Sequence, residues 1–197
     1  KICLINDESF SRLMPEWNID ITHLSDPIKS HVRRYALIRL LYKYGGICVP
    51  NSTIVLKDIK PIMEMFLNDK DFFAVESLSK TKSADTLKFI PDINIIGARK
   101  GSEVLKELIE YSQQQISTDN TSEMDFLGKF NIKLFDMYNK NEINVINAKL
   151  FGMKDKDSKE ILLEDLMSSH PIETAANCYC VVIPNKELLK RTKYNWF

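Results

Sequence analysis

The stretch Ser25–Lys60, SDPIKSHVRRYALIRLLYKYGGICVPNSTIVLKDIK, reads as a long helix, a double-glycine stop, a short strand and an abrupt polar turn. Asp26 offers an N-cap carboxylate and Pro27 a preset φ for the first helical position, so the helix is expected to begin there. From Tyr35 to Tyr44 only Arg39 and Lys43 are charged, which predicts a second half buried nearly all round. At ~1.5 Å per residue, Pro27 to Tyr44 spans about 27 Å, the depth of a small domain. Gly45 and Gly46 then end the helix. One can take the left-handed cap, and the next lets the chain turn sharply into Ile47-Cys48-Val49, which Pro50 stops.

On the N-terminal side, Lys1–Asn6 is a short apolar, strand-like run. Asn6 and Asp7 can cap a helix over Glu8–Met14 that Pro15 closes. Trp17–Leu24 reads as a loop and short strand with Ile19 and Ile21 pointing one way.

On the C-terminal side, Thr53–Leu56 is a second strand. Asp58–Asn68 has helical apolar spacing, with Met63 and Met65 as packing residues. Asp71–Glu76 is an aromatic and β-branched strand, and Ser77–Lys88 a polar loop of the length that lids have. The segment Asp92–Gly101, DINIIGARKG, is a strand and tight turn leading to a helix over Ser102–Gln115. After a polar linker at Ile116–Ser122, a second helix runs to Asn139, followed by a strand at Ile143–Ile146. A charged turn covers Lys154–Lys159, and Ile161–Met167 reads as a short helix or strand. Tyr179–Ile183 is a late strand and Lys186–Lys190 a short helix. The aromatic tail Arg191–Phe197 either staples the terminus to the core or stacks on a base. This order gives an α/β domain over residues 1–197, with a mixed central sheet flanked by helices.

Composition narrows the partners. With 197 residues, 44% apolar, one domain can bury roughly 70% of its unfolded surface. Lys plus Arg equals Asp plus Glu at 27 each, so no overall field draws nucleic acid or an anionic membrane. No apolar run approaches the length of a membrane span. The start at Lys1, directly in a strand-like run, implies sequence upstream and leaves open a leader or anchor. Cys3, Cys48, Cys178 and Cys180 lie in apolar runs without Cys-x-x-Cys spacing, which suits buried thiols in a reducing compartment better than a zinc site.

The run Leu40-Leu41-Tyr42-Lys43-Tyr44-Gly45-Gly46-Ile47 resembles the LYKYGGIY block of glycosyltransferases with a GT-A (Rossmann-like) fold, in particular family 32 and the capsular-polysaccharide type. The segment Asp92-Ile93-Asn94-Ile95-Ile96-Gly97-Ala98-Arg99-Lys100-Gly101 is similar to the strand-to-helix passage of the same enzymes. Together the two matches cover a little under a tenth of the chain. In that family the glycines lead into a strand ending in Asp-x-Asp, which holds a divalent metal and the diphosphate of a sugar nucleotide. Here Pro50, Asn51 and Ser52 stand at those positions. The family's Ser-Asp-x-x-Arg is replaced by a window containing Arg33, Arg34 and Leu37. The pattern, with its YNWF ending, also resembles uncharacterised proteins of large DNA viruses, which implies a cytoplasmic or virion-associated setting.

The resemblance implies a nucleotide-sugar donor and a glycan acceptor, with Asp7, Gly45, Gly46, Asn51, Ser52 and Asn94 near the nucleotide. Sugar transfer needs the leaving diphosphate neutralised, usually by Mg²⁺ or Mn²⁺ on carboxylates. An amide and a hydroxyl at Asn51 and Ser52 lack the charge to hold one. No cofactor is therefore predicted, and Mn²⁺ or Mg²⁺ would need ligands other than an Asp-x-Asp. Metal-independent transfer would fall to cations, with Arg33, Arg34, Arg99 and Lys100 as candidates. Two expectations follow: a transferase without the usual metal, or a catalytically silent relative that binds protein partners. Asp7 as a simple cap, Arg99 and Lys100 as solvated turn residues, and His170 as a loop residue are the plainer alternatives.

Overall fold

The structure is a computed structural model that describes residues 2–77, 89–118 and 123–183. The loop expected at Ser77–Lys88 falls, beyond its first residue, outside the described residues, as do most of the linker and the whole C-terminal helix and tail.

Among the described residues the chain forms a mixed α/β body of six helices and two small sheets. The elements are α1 (Asp7–Leu13), α2 (Ile28–Tyr44), β1 (Gly46–Cys48), β2 (Thr53–Val55), α3 (Lys60–Phe66) and β3 (Phe72–Ser77). They continue with β4 (Ile90–Ala98), α4 (Glu103–Thr118), α5 (Glu123–Asn139), β5 (Asn144–Ile146), a 3₁₀ turn (Ala148–Phe151), α6 (Leu163–Leu166) and β6 (Cys180–Val182).

The central sheet has the order β1-β4-β3-β5. Strand β4 runs antiparallel to both β1 and β3, while β3 and β5 are parallel. Strands β1, β3 and β5 therefore all point one way and β4 points back. Phe72 and Ala74 face a cluster with Ile38, Leu41, Leu105, Leu108, Phe126 and Phe130, contributed by α2, α4 and α5. Phe73 and Val75 alternate to the other face, against Ile62, Ile95, Ile146, Phe151 and Cys180. Gly97 is glycine because its neighbour demands it: a Cβ there would stand 2.2 Å from the tip of the buried Phe73 ring.

Helix α2 sits between this sheet and the N-terminal segment. Ile38 and Leu41 turn to the sheet, whereas Ala36 and Leu40 meet Phe10, Met14 and Trp17 around α1. It is not buried all round as its composition suggested. Arg39, Leu40, Tyr42 and Lys43 are half-buried, and Tyr44 is 53% exposed. Its start also differs from expectation. The Asp26 carboxylate accepts from the Ser30 hydroxyl at 2.7 Å, and the helix begins at Ile28 behind Pro27. Asn6 does cap α1, in a reciprocal pair with Ser9 (2.7 and 2.9 Å).

Two expected strands do not form. Residues 2–6 and 17–24 join no sheet, and Ile2, Leu4 and Cys3 are exposed. Without a neighbouring strand to satisfy their backbone groups, apolar alternation alone does not make them β. Thr53–Val55 does form β2, but it pairs with β6 in a separate two-stranded ribbon, leaving Ile54, Val55 and Leu56 exposed.

Candidate functional site

In open α/β sheets ligands gather beyond the carboxyl ends of the strands. Because β1, β3 and β5 share a direction, their carboxyl ends form one rim, made of the turn at 50–52, the end of β3 and Asn147. The start of β4, with Asp92 and Asn94, joins the same rim. The register Gly46↔Ala98 and Cys48↔Ile96 puts Arg99 and Lys100 at the other end of the sheet. Ala98 and Asn94 are separated by about 13 Å of strand.

The expected site residues other than Arg34 therefore divide into three groups. Asn51, Ser52 and Asn94 lie at the carboxyl rim. Gly45, Gly46, Arg99 and Lys100 lie together at the opposite, glycine end. Asp7 and Arg33 form a third group at the N-terminal half of α2, joined by a two-pronged ion pair with Nε–Oδ1 3.0 Å and Nη2–Oδ2 2.6 Å. The hydrogen bond from Arg33 holds the Asp7 carboxyl below the usual carboxylate range and raises the guanidinium in return. Each charge cancels the other.

At the carboxyl rim the polar groups are mostly spent on the protein itself. The Ser52 hydroxyl donates to the Ile183 carbonyl at 2.8 Å, and the Ile183 N–H returns a bond to the Ser52 carbonyl at 2.8 Å. Asp92 Oδ1 accepts from the backbone N–H and the side-chain amide of Asn94, at 2.9 and 2.7 Å. Glu76, at the end of β3, pairs with Lys154 and accepts from the Ala148 N–H at 3.2 Å. That pair is well shielded, its side chains only 12% and 19% exposed. Arg34 is the exception. It is half-buried and makes neither hydrogen bond nor ion pair among the described residues. Burial pushes the Cys48 thiol up, and the positive charge of Arg34 opposes that rise.

A metal does not fit the turn that matches the family's Asp-x-Asp. Pro50, Asn51 and Ser52 supply no carboxylate, and the one hydroxyl is committed to Ile183. Among the described residues no group of three or more His, Cys, Asp or Glu is arranged to hold a metal ion. Cys178 and Cys180 are buried, and burial together with the Cys178 neighbour pushes the Cys180 thiol up to about 12, so neither is a nucleophile at neutral pH.

At the glycine end the two segments that carried the family resemblance pack directly on each other. Gly45 has φ +69°, and a Cβ there would stand 2.8 Å from the Lys100 nitrogen and 3.2 Å from the Ala98 carbonyl oxygen. The Gly101 N–H donates to the Tyr42 carbonyl at 2.8 Å, closing the contact. At the N-terminus of α4 two amides are already occupied. The Asp71 carboxylate accepts from the Glu103 N–H at 2.9 Å, and the Ser102 hydroxyl from the Leu105 N–H at 3.3 Å. Arg99 is turned away to the Asn68 carbonyl at 3.2 Å.

Open concavities lie beside these groups among the described residues. One, about 410 Å³, is bordered by Glu103, Glu107, Glu110 and Glu142 with Lys106 on the flank of α4. Another, about 430 Å³, lies at the glycine end between Met14, Glu16, Arg39, Tyr42, Lys43, Lys100 and Gly101. Glu76, Lys154, Asp92, Asp71 and Arg39 escaped the reading of the sequence. Asp92 stood two residues from Asn94, the spacing of an Asx turn, and that was the only signal available. Among the described residues no helix is long and apolar enough to cross a membrane. Comparison with known proteins finds no family model, no curated protein and no solved structure that matches this chain.

Proposed function

We propose that this chain is a glycosyltransferase-like domain, GT-A in ancestry, that has lost metal-assisted sugar transfer and works by binding a protein partner. The observation that carries this reading is the paired Ser52–Ile183 bonding at a turn without carboxylates. A transferase must gather positive charge where the diphosphate leaves, and this turn offers none. The mutual neutralisation of Asp7 and Arg33 supports the same conclusion. Strands β1, β3 and β5 pointing one way, with paired glycines feeding β1, support the proposed ancestry. Assembly within a virion of a large DNA virus is the setting the sequence resemblance suggests.

The test is release of UDP or GDP from their sugar conjugates, with and without Mn²⁺, alongside amide shifts at Asn51 and Asn94. Neither turnover nor saturable shifts at those two positions are expected at millimolar donor. A second reading, metal-independent transfer, draws on the unspent half-buried charge of Arg34. Turnover that Arg34→Ala lowers more than Lys156→Ala would establish it and discard the first.

A further inference from the structure

The concavity at the glycine end sits at the opposite end of the sheet from the turn at 50–52, and of the cations expected to meet a diphosphate it holds Lys100. We propose that it binds the phosphoryl group of a small soluble phosphomonoester.

The charges on its walls are unequal. Arg39, Lys43 and Lys100 face one carboxylate, Glu16. That carboxylate is answered within the wall, since Lys43 Nζ lies 3.0 Å from both of its oxygens and also reaches the Leu13 carbonyl at 3.4 Å. Two cations are left over. Arg39 and Lys100 make no hydrogen bond or ion pair among the described residues. The Arg39 guanidinium carbon lies 5.8 Å from the Trp17 ring centroid and 5.9 Å from that of Tyr35. Ring contacts of this kind fix the plane of a guanidinium without consuming its N–H donors, which stay available in a fork that matches phosphate oxygens. Lys100 adds a mobile point charge from the facing turn, and the Gly101–Tyr42 bond holds that turn to the end of α2.

Two unspent positive charges in one hollow favour a dianion over chloride, and a phosphomonoester carries close to two charges at neutral pH. Half-buried Tyr42 gives the organic half an apolar surface to lie against. A volume of about 430 Å³ admits a phosphate and one ring. The charged rim suits a ligand that arrives from water, not a headgroup fixed in a bilayer.

The whole chain, ¹⁵N-labelled, is titrated at constant ionic strength with inorganic phosphate, phenyl phosphate and sodium chloride. The amides of Tyr42, Lys100 and Gly101 are expected to shift and saturate at roughly millimolar phosphate. Phenyl phosphate should saturate at about threefold lower concentration, because its ring gains contact with Tyr42. Lys100→Gln alters an exposed side chain that has no hydrogen bond or ion pair among the described residues, so it leaves the fold intact; it should raise the half-saturating concentration about fivefold or more. Arg39→Gln should do the same, and Lys140→Gln should change nothing. Shifts that stay linear and equal to those with chloride overturn the proposal, as does indifference to Lys100→Gln. Co-sedimentation with phosphatidic acid vesicles without any response to phenyl phosphate would reassign the hollow to a lipid headgroup and overturn it equally.

Discussion

The two ends of the central sheet carry similar numbers of polar side chains and use them differently. At the carboxyl rim Ser52, Asp92, Asn94, Glu76 and Lys154 are bonded to one another or to backbone. At the glycine end, backbone packing around Gly45 and Gly101 is tight, yet Arg39 and Lys100 remain uncommitted above it. Polar groups that satisfy each other stabilise a fold, whereas polar groups held in place but unsatisfied are available to a ligand. By that criterion the rim at Ser52, Asp92 and Asn94 is largely closed by its own bonds, and the glycine end, where Lys100 was expected among the cations that meet a diphosphate, is open.

Four substitutions press on this contrast, and the largest effect belongs to the glycine end. Gly45→Ala combines a positive φ with a Cβ driven into the backbone of residues 98–100, so urea unfolding should show a loss of about 4 kcal/mol. Gly46→Ala, with open space around its Cβ, should lose less than half of that; equal losses would mean that strain, and not close packing, governs this turn. At the carboxyl rim, Glu76→Gln leaves Lys154 as an unpaired shielded charge and should cost about 3 kcal/mol in the same assay. Recovery of most of that loss in the double variant with Lys154→Met would show the pair to be structural. Ser52→Ala removes one side-chain bond and should cost about 1 kcal/mol. It should leave the amides of Tyr42 and Gly101 unmoved, since they lie at the far end of the sheet.

The smallest effect concerns pH. The Asp7 carboxyl is depressed chiefly by the hydrogen bond from Arg33. A depressed acid stabilises the fold fully above its unfolded pKa and loses that contribution as pH falls through the folded value. The ion pair should therefore add a constant increment above about pH 5 that disappears below the ordinary aspartate range near pH 4. Both side chains are 47% exposed, so the increment is under about 1 kcal/mol. Comparing the parent with Asp7→Asn in acid titrations isolates it. A difference that persists at pH 2 would show that the substitution acts through something other than charge.

What local sequence determined here was the element order. A long apolar run behind Asp26-Pro27 marked α2, helical apolar spacing marked α4 and α5, aromatic and β-branched runs marked β3 and β4, and the glycine pair marked the break between α2 and β1. These are short-range signals, each decided within one or two turns of chain. Where periodicity was read without a partner it failed, as at residues 2–6 and 17–24, because a strand is defined by the neighbour that takes its hydrogen bonds. The site was legible only in part for the same reason. That Asn51, Ser52 and Asn94 belong to one rim, with Arg99 and Lys100 at the other, follows from β4 running antiparallel to β1. No residue in either strand encodes that direction by itself. Likewise Arg33 and Arg34 are adjacent identical letters, yet one lies against Asp7, far away in sequence, and the other near Cys48. Tertiary packing decides which charges are cancelled and which are left to act, since cancellation depends on distance through space and not on spacing along the chain.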